Sequence, residues 1–184
     1  NSTTYTVKID KTAPTGTITL TNTSGGSWTN KDVTATMGGI TTETVTYQYS
    51  LDDITFTNGQ PTTWTADTKQ DVYFRVCDTL GNCSTSTKKT IMIDKTAPEL
   101  SITCNNNGCV AWNNEDTTAT ATANDTLSDI ASVTYTVSGD VTASGNGNSY
   151  TLSAIEGSVR KVTVTFSAKD NNSSTIELIS LFFT

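Results

Sequence analysis

The sequence predicts an all-β chain: two antiparallel two-sheet sandwiches in tandem, each of about seven strands, preceded by one extra strand. Three observations predict it. Apolar residues alternate with polar ones in a series of short runs along both halves of the 184-residue chain. A set of motifs occurs twice, in the same order. No stretch carries a helical stripe of apolar residues. A period of two over four to eight residues means one face buried and one wet. Motifs that recur at a fixed offset mean one architecture used twice.

The extra strand is residues 1–10, where Tyr5, Val7 and Ile9 alternate with polar residues. It runs into IDKTAP at 9–14, and the same hexapeptide returns at 93–98 behind another alternating run, Lys89, Ile91, Ile93. The opening segment therefore reads as the closing strand of a unit whose other strands are elsewhere. The first unit spans 11–94. Its strand runs are Val33, Ala35, Met37, then Val45, Tyr47, Tyr49, Leu51, then Val72, Phe74, Val76. The second unit spans 95–184 and repeats the plan. Its runs are Leu100 and Ile102, then Ala119, Ala121, Ala123, then Val133, Tyr135, Val137, then Val162, Val164, Phe166. SWTNKDVTAT at 27–36 matches AWNNEDTTAT at 111–120, and VTYQYS at 45–50 matches VTYTVS at 133–138. Asp78 matches Asp170. The offset grows from 84 to 88 to 92 residues, so the second copy carries two small insertions, which belong in loops. Clusters of Gly, Asn, Asp and Ser punctuate the runs as turns do.

Composition narrows the function. The net charge of −7 argues against nucleic acid or an anionic membrane surface as partner. No apolar run is long enough to span a membrane. The chain starts at Asn1 without a signal peptide, which reads as a removed leader or a cut fragment. The four cysteines form two close pairs, Cys77 with Cys83 and Cys104 with Cys109, each flanking a turn-rich loop. Such spacing suits two disulfides better than zinc, since no His is available to complete a metal set. Disulfides imply an oxidising, extracellular setting.

IDKTAP, WTNKD followed by alternating Thr, a YQYS strand and the late VCDTLGN turn resemble the bacterial immunoglobulin-like tandem repeats of surface proteins. The resemblance runs over nearly the whole chain, twice. It departs at KDNNSS, which replaces the second D-x-x-G-N turn, and no further DKTAP follows. It implies an extracellular stalk, an adhesin segment or a fibre subunit.

No catalytic set emerges. Without His, Ser-His-Asp and Cys-His arrangements are excluded. Asp52 and Asp53 read as a turn between strands. A non-enzymatic structural role is expected, with no cofactor required and no metal site assigned. Calcium is the one cation the resemblance brings in, through linker aspartates such as Asp10 and Asp94 with Asp78 or Asp170. Against it, the aspartates are scattered singly and no dense acidic loop exists; Asp94 and Asp78 read first as turn caps, with Gly81 at positive φ. Trp28 and Trp112 occupy equivalent positions, so they read as packing residues. Trp64 has no counterpart and is the candidate exposed aromatic for a carbohydrate-binding alternative. Candidate N-glycosylation positions are Asn1, Asn22, Asn82, Asn124, Asn171 and Asn172.

The C-terminal run TIELISLFFT, 175–184, is apolar on both faces. Ile179, Leu181, Phe182 and Phe183 therefore form a candidate acceptor surface for the donor segment Tyr5, Val7, Ile9 of a neighbouring copy. Joining two different patches gives a head-to-tail homopolymer, a filament built by strand addition. The alternative is an excerpt of a long repeat adhesin or stalk, in which residues 1–10 are a cut end.

Overall fold

The computed structural model describes residues 3–23, 26–38, 43–60, 63–105, 109 and 112–183; the side chains of 181–183 lie outside the description. Every regular element among the described residues is a strand, and the chain divides into unit 1, Asn1–Ile93, and unit 2, Asp94–Thr184.

Unit 1 holds β1 (Thr17–Leu20), β2 (Val33–Gly38), β3 (Val45–Ser50), β4 (Thr57–Asn58), β5 (Thr63–Trp64), β6 (Thr68–Asp78) and β7 (Thr87–Ile93). They form a three-stranded sheet, β1-β2-β5, and a four-stranded sheet, β4-β3-β6-β7, with every ladder antiparallel. Unit 2 holds β8 (Glu99–Cys104), β9 (Thr117–Asn124), β10 (Ile130–Gly139), β11 (Ala143–Asn146), β12 (Ser149–Leu152), β13 (Lys161–Asp170) and β14 (Thr175–Phe183). Its sheets are β12-β9-β8 and β11-β10-β13-β14, the same topology strand for strand. These are tandem immunoglobulin-like sandwiches, as the repeated motifs predict.

Each core is the inward half of the alternating runs. In unit 1, Val33, Ala35 and Met37 of β2 meet Val72 and Phe74 of β6 and Ile91 and Ile93 of β7. In unit 2, Ala119 and Ala121 of β9 and Leu152 of β12 meet Val137 of β10 and Val162, Val164 and Phe166 of β13. Thr fills many of the intervening outward positions, where its branched Cβ suits the pleat. Its hydroxyls pair across strands, as in Thr34 with Thr63 at 2.7 Å and Thr118 with Thr151 at 2.8 Å.

The extra N-terminal strand is absent as a strand. Residues 3–16 join no sheet, and Tyr5, Val7 and Ile9 are 85%, 78% and 76% exposed. The physical reason lies in the sheets themselves: β7 and β14 already occupy the closing positions of the two four-stranded sheets. Trp64 is also not the exposed tryptophan. It ladders with Val33 and packs half-buried on the unit 1 core, whereas Trp112 is 63% exposed. Trp28 is half-buried with the Lys69 ammonium 5.9 Å from its ring centroid.

Both disulfides form as paired in the sequence, Cys77–Cys83 and Cys104–Cys109. The first clips the β6–β7 turn; the second clips the loop that leaves β8. Replacing Cys77 and Cys83 together by Ala should lower the stability of unit 1 by about 2 kcal/mol, the loop-entropy value for so short a ring. Calorimetry should show the unit 1 transition falling while that of unit 2 stays in place. An unmoved unit 1 transition would show that the clip does not constrain its unfolded chain.

Candidate functional site

The two units carry the same polar construction at the same place. Three segments converge there: the Asp-Lys-Thr-Ala-Pro stretch that enters the unit, the loop after the second strand, and the turn between the last two strands.

In unit 1 the turn is Asp78-Thr-Leu-Gly-Asn82. Asp78 Oδ1 accepts from the backbone N–H groups of Leu80 and Asn82, both at 2.8 Å, and Oδ2 accepts from Asn82 Nδ2 at 2.7 Å. Gly81 takes φ +89°, which closes the turn without a Cβ penalty. Burial opposes the charged form of Asp78. The Asn82 side chain and the N–H groups of Asn82, Leu80 and Gly81 outweigh it and hold the carboxyl below the ordinary carboxylate range. Asn82 Nδ2 also reaches the Asp10 carbonyl at 3.3 Å, and Asp10 Oδ1 accepts from Thr12 N at 2.9 Å. One carboxylate oxygen from each of Asp10, Glu43 and Asp78 falls within 4.8 Å of the other two.

In unit 2 the turn is Asp170-Asn-Asn-Ser-Ser174. Asp170 Oδ1 accepts from Asn172 N at 2.9 Å and Ser174 N at 2.7 Å, matching the Leu80 and Asn82 bonds of unit 1. Ser173 takes φ +76° where unit 1 uses Gly81. Asn172 Nδ2 donates to the Asp94 carbonyl, so the turn again holds the entering segment. Asp94 Oδ1 accepts from Thr96 N and Oδ2 from Ser128 N, both at 3.1 Å. Asp125 Oδ1 accepts from Leu127 N, Ser128 N and Asp129 N at 2.9, 2.8 and 3.2 Å, capping the loop after β9. The β13–β14 turn is tied to that loop through Asn171, whose Nδ2 donates to the Ser128 carbonyl at 2.7 Å and whose N–H donates to the Asp129 carbonyl at 3.1 Å. One carboxylate oxygen from each of Asp94, Asp125 and Asp170 again falls within 4.8 Å of the others. Among the described residues, these six acids are the ones whose placement would let them hold a cation.

Sequence reasoning identified Asp10, Asp94, Asp78 and Asp170, and it read Asp78 and Asp94 as turn caps, which they are. It missed Glu43 and Asp125, and it missed that the acids converge. The available signal was the repeat itself, since Asp10 and Asp94, like Asp78 and Asp170, share a register.

The remaining candidates lie elsewhere. Asp52 sits in the turn after β3. The N–H of Thr55, then that of Ile54, then the Ser50 hydroxyl lower its pKa to about 2. Asp53 follows at φ +61°, so the pair is turn chemistry. Of the candidate glycan positions, Asn172 is buried and its amide donates to the Asp94 carbonyl. The Asn82 amide is likewise engaged. Asn22, Asn124 and Asn171 are exposed, and Asn1 lies outside the described residues. Of the candidate acceptor set, Ile179 is 65% exposed on β14, an edge strand whose outer side has no ladder partner among the described residues. The side chains of Leu181, Phe182 and Phe183 lie outside the described residues.

No family model matches the chain, and no curated protein does. Among solved structures, the fibronectin domains FN1–FN3 of chicken CNTN1 are similar along 92% of this chain and 67% of theirs, at 10% identity and a TM-score of 0.31.

Proposed function

We propose that this chain is two links of a longer extracellular array of immunoglobulin-like units, working as the stalk or spacer of a bacterial surface protein. The observation that carries the reading is the segment Tyr5–Ile9. It repeats the pattern of Lys89–Ile93, including the IDKTAP that follows, yet its apolar stripe stands in water. A strand of this kind needs a sheet for its backbone groups and its stripe. Both closing positions in this chain are filled by β7 and β14, so the sheet it suits is that of another like unit. Two disulfides fit an extracellular location. No residue set described above offers a nucleophile with a base, so a mechanical role is the reading the chemistry favours.

A second reading places that other unit in a neighbouring copy of the chain, giving a head-to-tail filament. The open edge of β14, with Ile179 exposed on it, favours this reading. Sedimentation and negative-stain imaging from micromolar to millimolar concentration separate the two. The array reading expects a monomer throughout. Concentration-dependent ladders that vanish when residues 1–10 are removed would overturn it in favour of the filament.

A further inference from the structure

We propose that unit 2 carries a carbohydrate-binding cleft between the chain entering β9 and the loop that joins β12 to β13, with Trp112 as the stacking platform for a neutral pyranose. The proposal concerns unit 2 alone and does not rest on the array reading.

The loop sets unit 2 apart. In unit 1 the corresponding connection, β5 to β6, is the three residues 65–67; in unit 2, β12 to β13, it is the eight residues 153–160. Extra loop length on a repeated scaffold is where function is added without disturbing the core. The loop's residues are not those of an inert spacer, since Ile155 and Val159 hold large apolar side chains in water. The loop also has a defined shape. Leu152 ladders with Thr117, and beyond that pair the two segments part. Ala154 N then donates to Asp116 Oδ1 at 2.8 Å, which ties the loop to the chain entering β9. Ser158 N donates to the Ile155 carbonyl at 3.1 Å and Gly157 takes φ +74°, so the tip folds back as a turn. Between the parted segments lies a cleft of about 440 Å³, within the span of about 300–1,000 Å³ usual for small-molecule sites. Asn113 and Asn114 line it from one side, and Ile155, Glu156 and Ser158 from the other.

The lining selects the ligand. Trp112 immediately precedes Asn113, which places its indole beside the cleft. Trp28 and Trp64 are half-buried in unit 1, whereas Trp112 is mostly exposed. An indole is a broad, flat apolar surface with a polar edge. One face of a pyranose is a flat patch of C–H groups of matching size, and its rim is a ring of hydroxyls that each need a donor and an acceptor. Side-chain amides supply both, a carboxylate accepts, and a serine hydroxyl does either. Asn113, Asn114, Glu156 and Ser158 therefore match the rim, while Trp112 and Ile155 match the face. Glu156 is the charged side chain among the lining residues, so the cleft repels uronic and sialic acids, phosphate groups and acidic peptides. The ligand class that remains is an uncharged sugar.

The test screens the full chain against an array of neutral and acidic glycans. The neutral oligosaccharide that binds best is then titrated by calorimetry, with tryptophan fluorescence as a second readout. Saturable binding of one equivalent is expected, with a change in indole emission that Trp112→Ala abolishes. Trp112→Ala should weaken binding about tenfold or more. Asn114→Ala and Glu156→Ala should each weaken it about three- to tenfold. These side chains are exposed, so the unit 2 thermal transition should stay in place in all three variants. Trp28→Phe, at the equivalent position of unit 1, should leave binding unchanged. If Trp112→Ala does not fold, Asn114→Ala decides. Four results would each overturn the assignment: an array with no neutral glycan bound, binding confined to acidic glycans, binding unmoved in a folded Trp112→Ala chain, or binding lost in Trp28→Phe. None of them alters the sedimentation result that decides between array and filament.

Discussion

Truncating Phe166 to Ala should destabilise unit 2 by about 3–5 kcal/mol, the usual cost of deleting a fully buried aromatic ring. Phe166 is completely buried on β13, the strand that lies between β10 and β14 and carries Val162 and Val164 on the same face. Its ring meets Tyr135 edge-on at 6.2 Å between centroids, and Tyr135 in turn meets Tyr150 of the opposite sheet at 5.5 Å. The small residues Ala119 and Ala121 face this cluster from β9. Alanines have no longer rotamer with which to refill the space, so the cavity persists and the cost lies toward the high end. A unit of this size has a total stability of only about 5–15 kcal/mol. Each kilocalorie moves its melting temperature by about 4–8 °C. Calorimetry should therefore show the unit 2 transition falling by more than about 10 °C while the unit 1 transition holds, because each unit has its own core. Phe166→Leu, which keeps most of the volume, should cost about 1.5 kcal/mol or less. A single transition that moves as a whole in Phe166→Ala would show that the two cores do not melt separately.

The core behind that prediction was legible in the sequence because a strand buries every second residue. Val162, Val164 and Phe166 announce their face, and so do Val33, Ala35 and Met37. The seven-strand plan was legible because it is written twice in the same order. The acid clusters were not legible as clusters. Asp94, Asp125 and Asp170 lie 31 and 45 residues apart, on three segments brought together by the sandwich's topology. Period-two patterning places strands and says nothing about which loops share an end of a sandwich. Repetition helped with Asp78 and Asp170, whose turns form equivalent hydrogen bonds, and misled with Trp28 and Trp112. Those two share a register, yet one is half-buried beneath Lys69 and the other stands in solvent. Register fixes backbone position. Burial also depends on what neighbouring loops cover, and the loops before β2 and β9 differ in sequence and in the Cys104–Cys109 clip. Trp64 erred the other way: lacking a counterpart, it looked exposed, but its ladder with Val33 lays it on the core.

The second large effect is expected from one residue that the sequence writes in two settings. Ile93 and Ile9 both stand at the head of IDKTAP. Ile93 is fully buried: its backbone pairs with Thr68 of β6 on one side and bridges Thr29 on the other, where Thr29 N donates to the Met92 carbonyl at 3.1 Å. It thereby joins the end of β7 to the chain entering β2, and its side chain completes the cluster around Val33 and Val72. Ile93→Ala should cost unit 1 about 2–5 kcal/mol, read as a fall in its thermal transition alone. Ile9→Ala, the same change on an exposed side chain, should alter stability by no more than about 0.5 kcal/mol. The contrast follows from burial, since the two positions share their local sequence. It also bears on the role of the N-terminal segment. If Tyr5, Val7 and Ile9 close the sheet of a neighbouring copy, Ile9→Ala should weaken self-association in proportion to the apolar area it withdraws, with the melting of the isolated chain unchanged. If they close the sheet of another unit in the same array, Ile9→Ala in the two-unit chain should change neither quantity. An Ile93→Ala variant that melts like the parent would break the argument at its base, because it would mean that the closing strand does not hold its sandwich together.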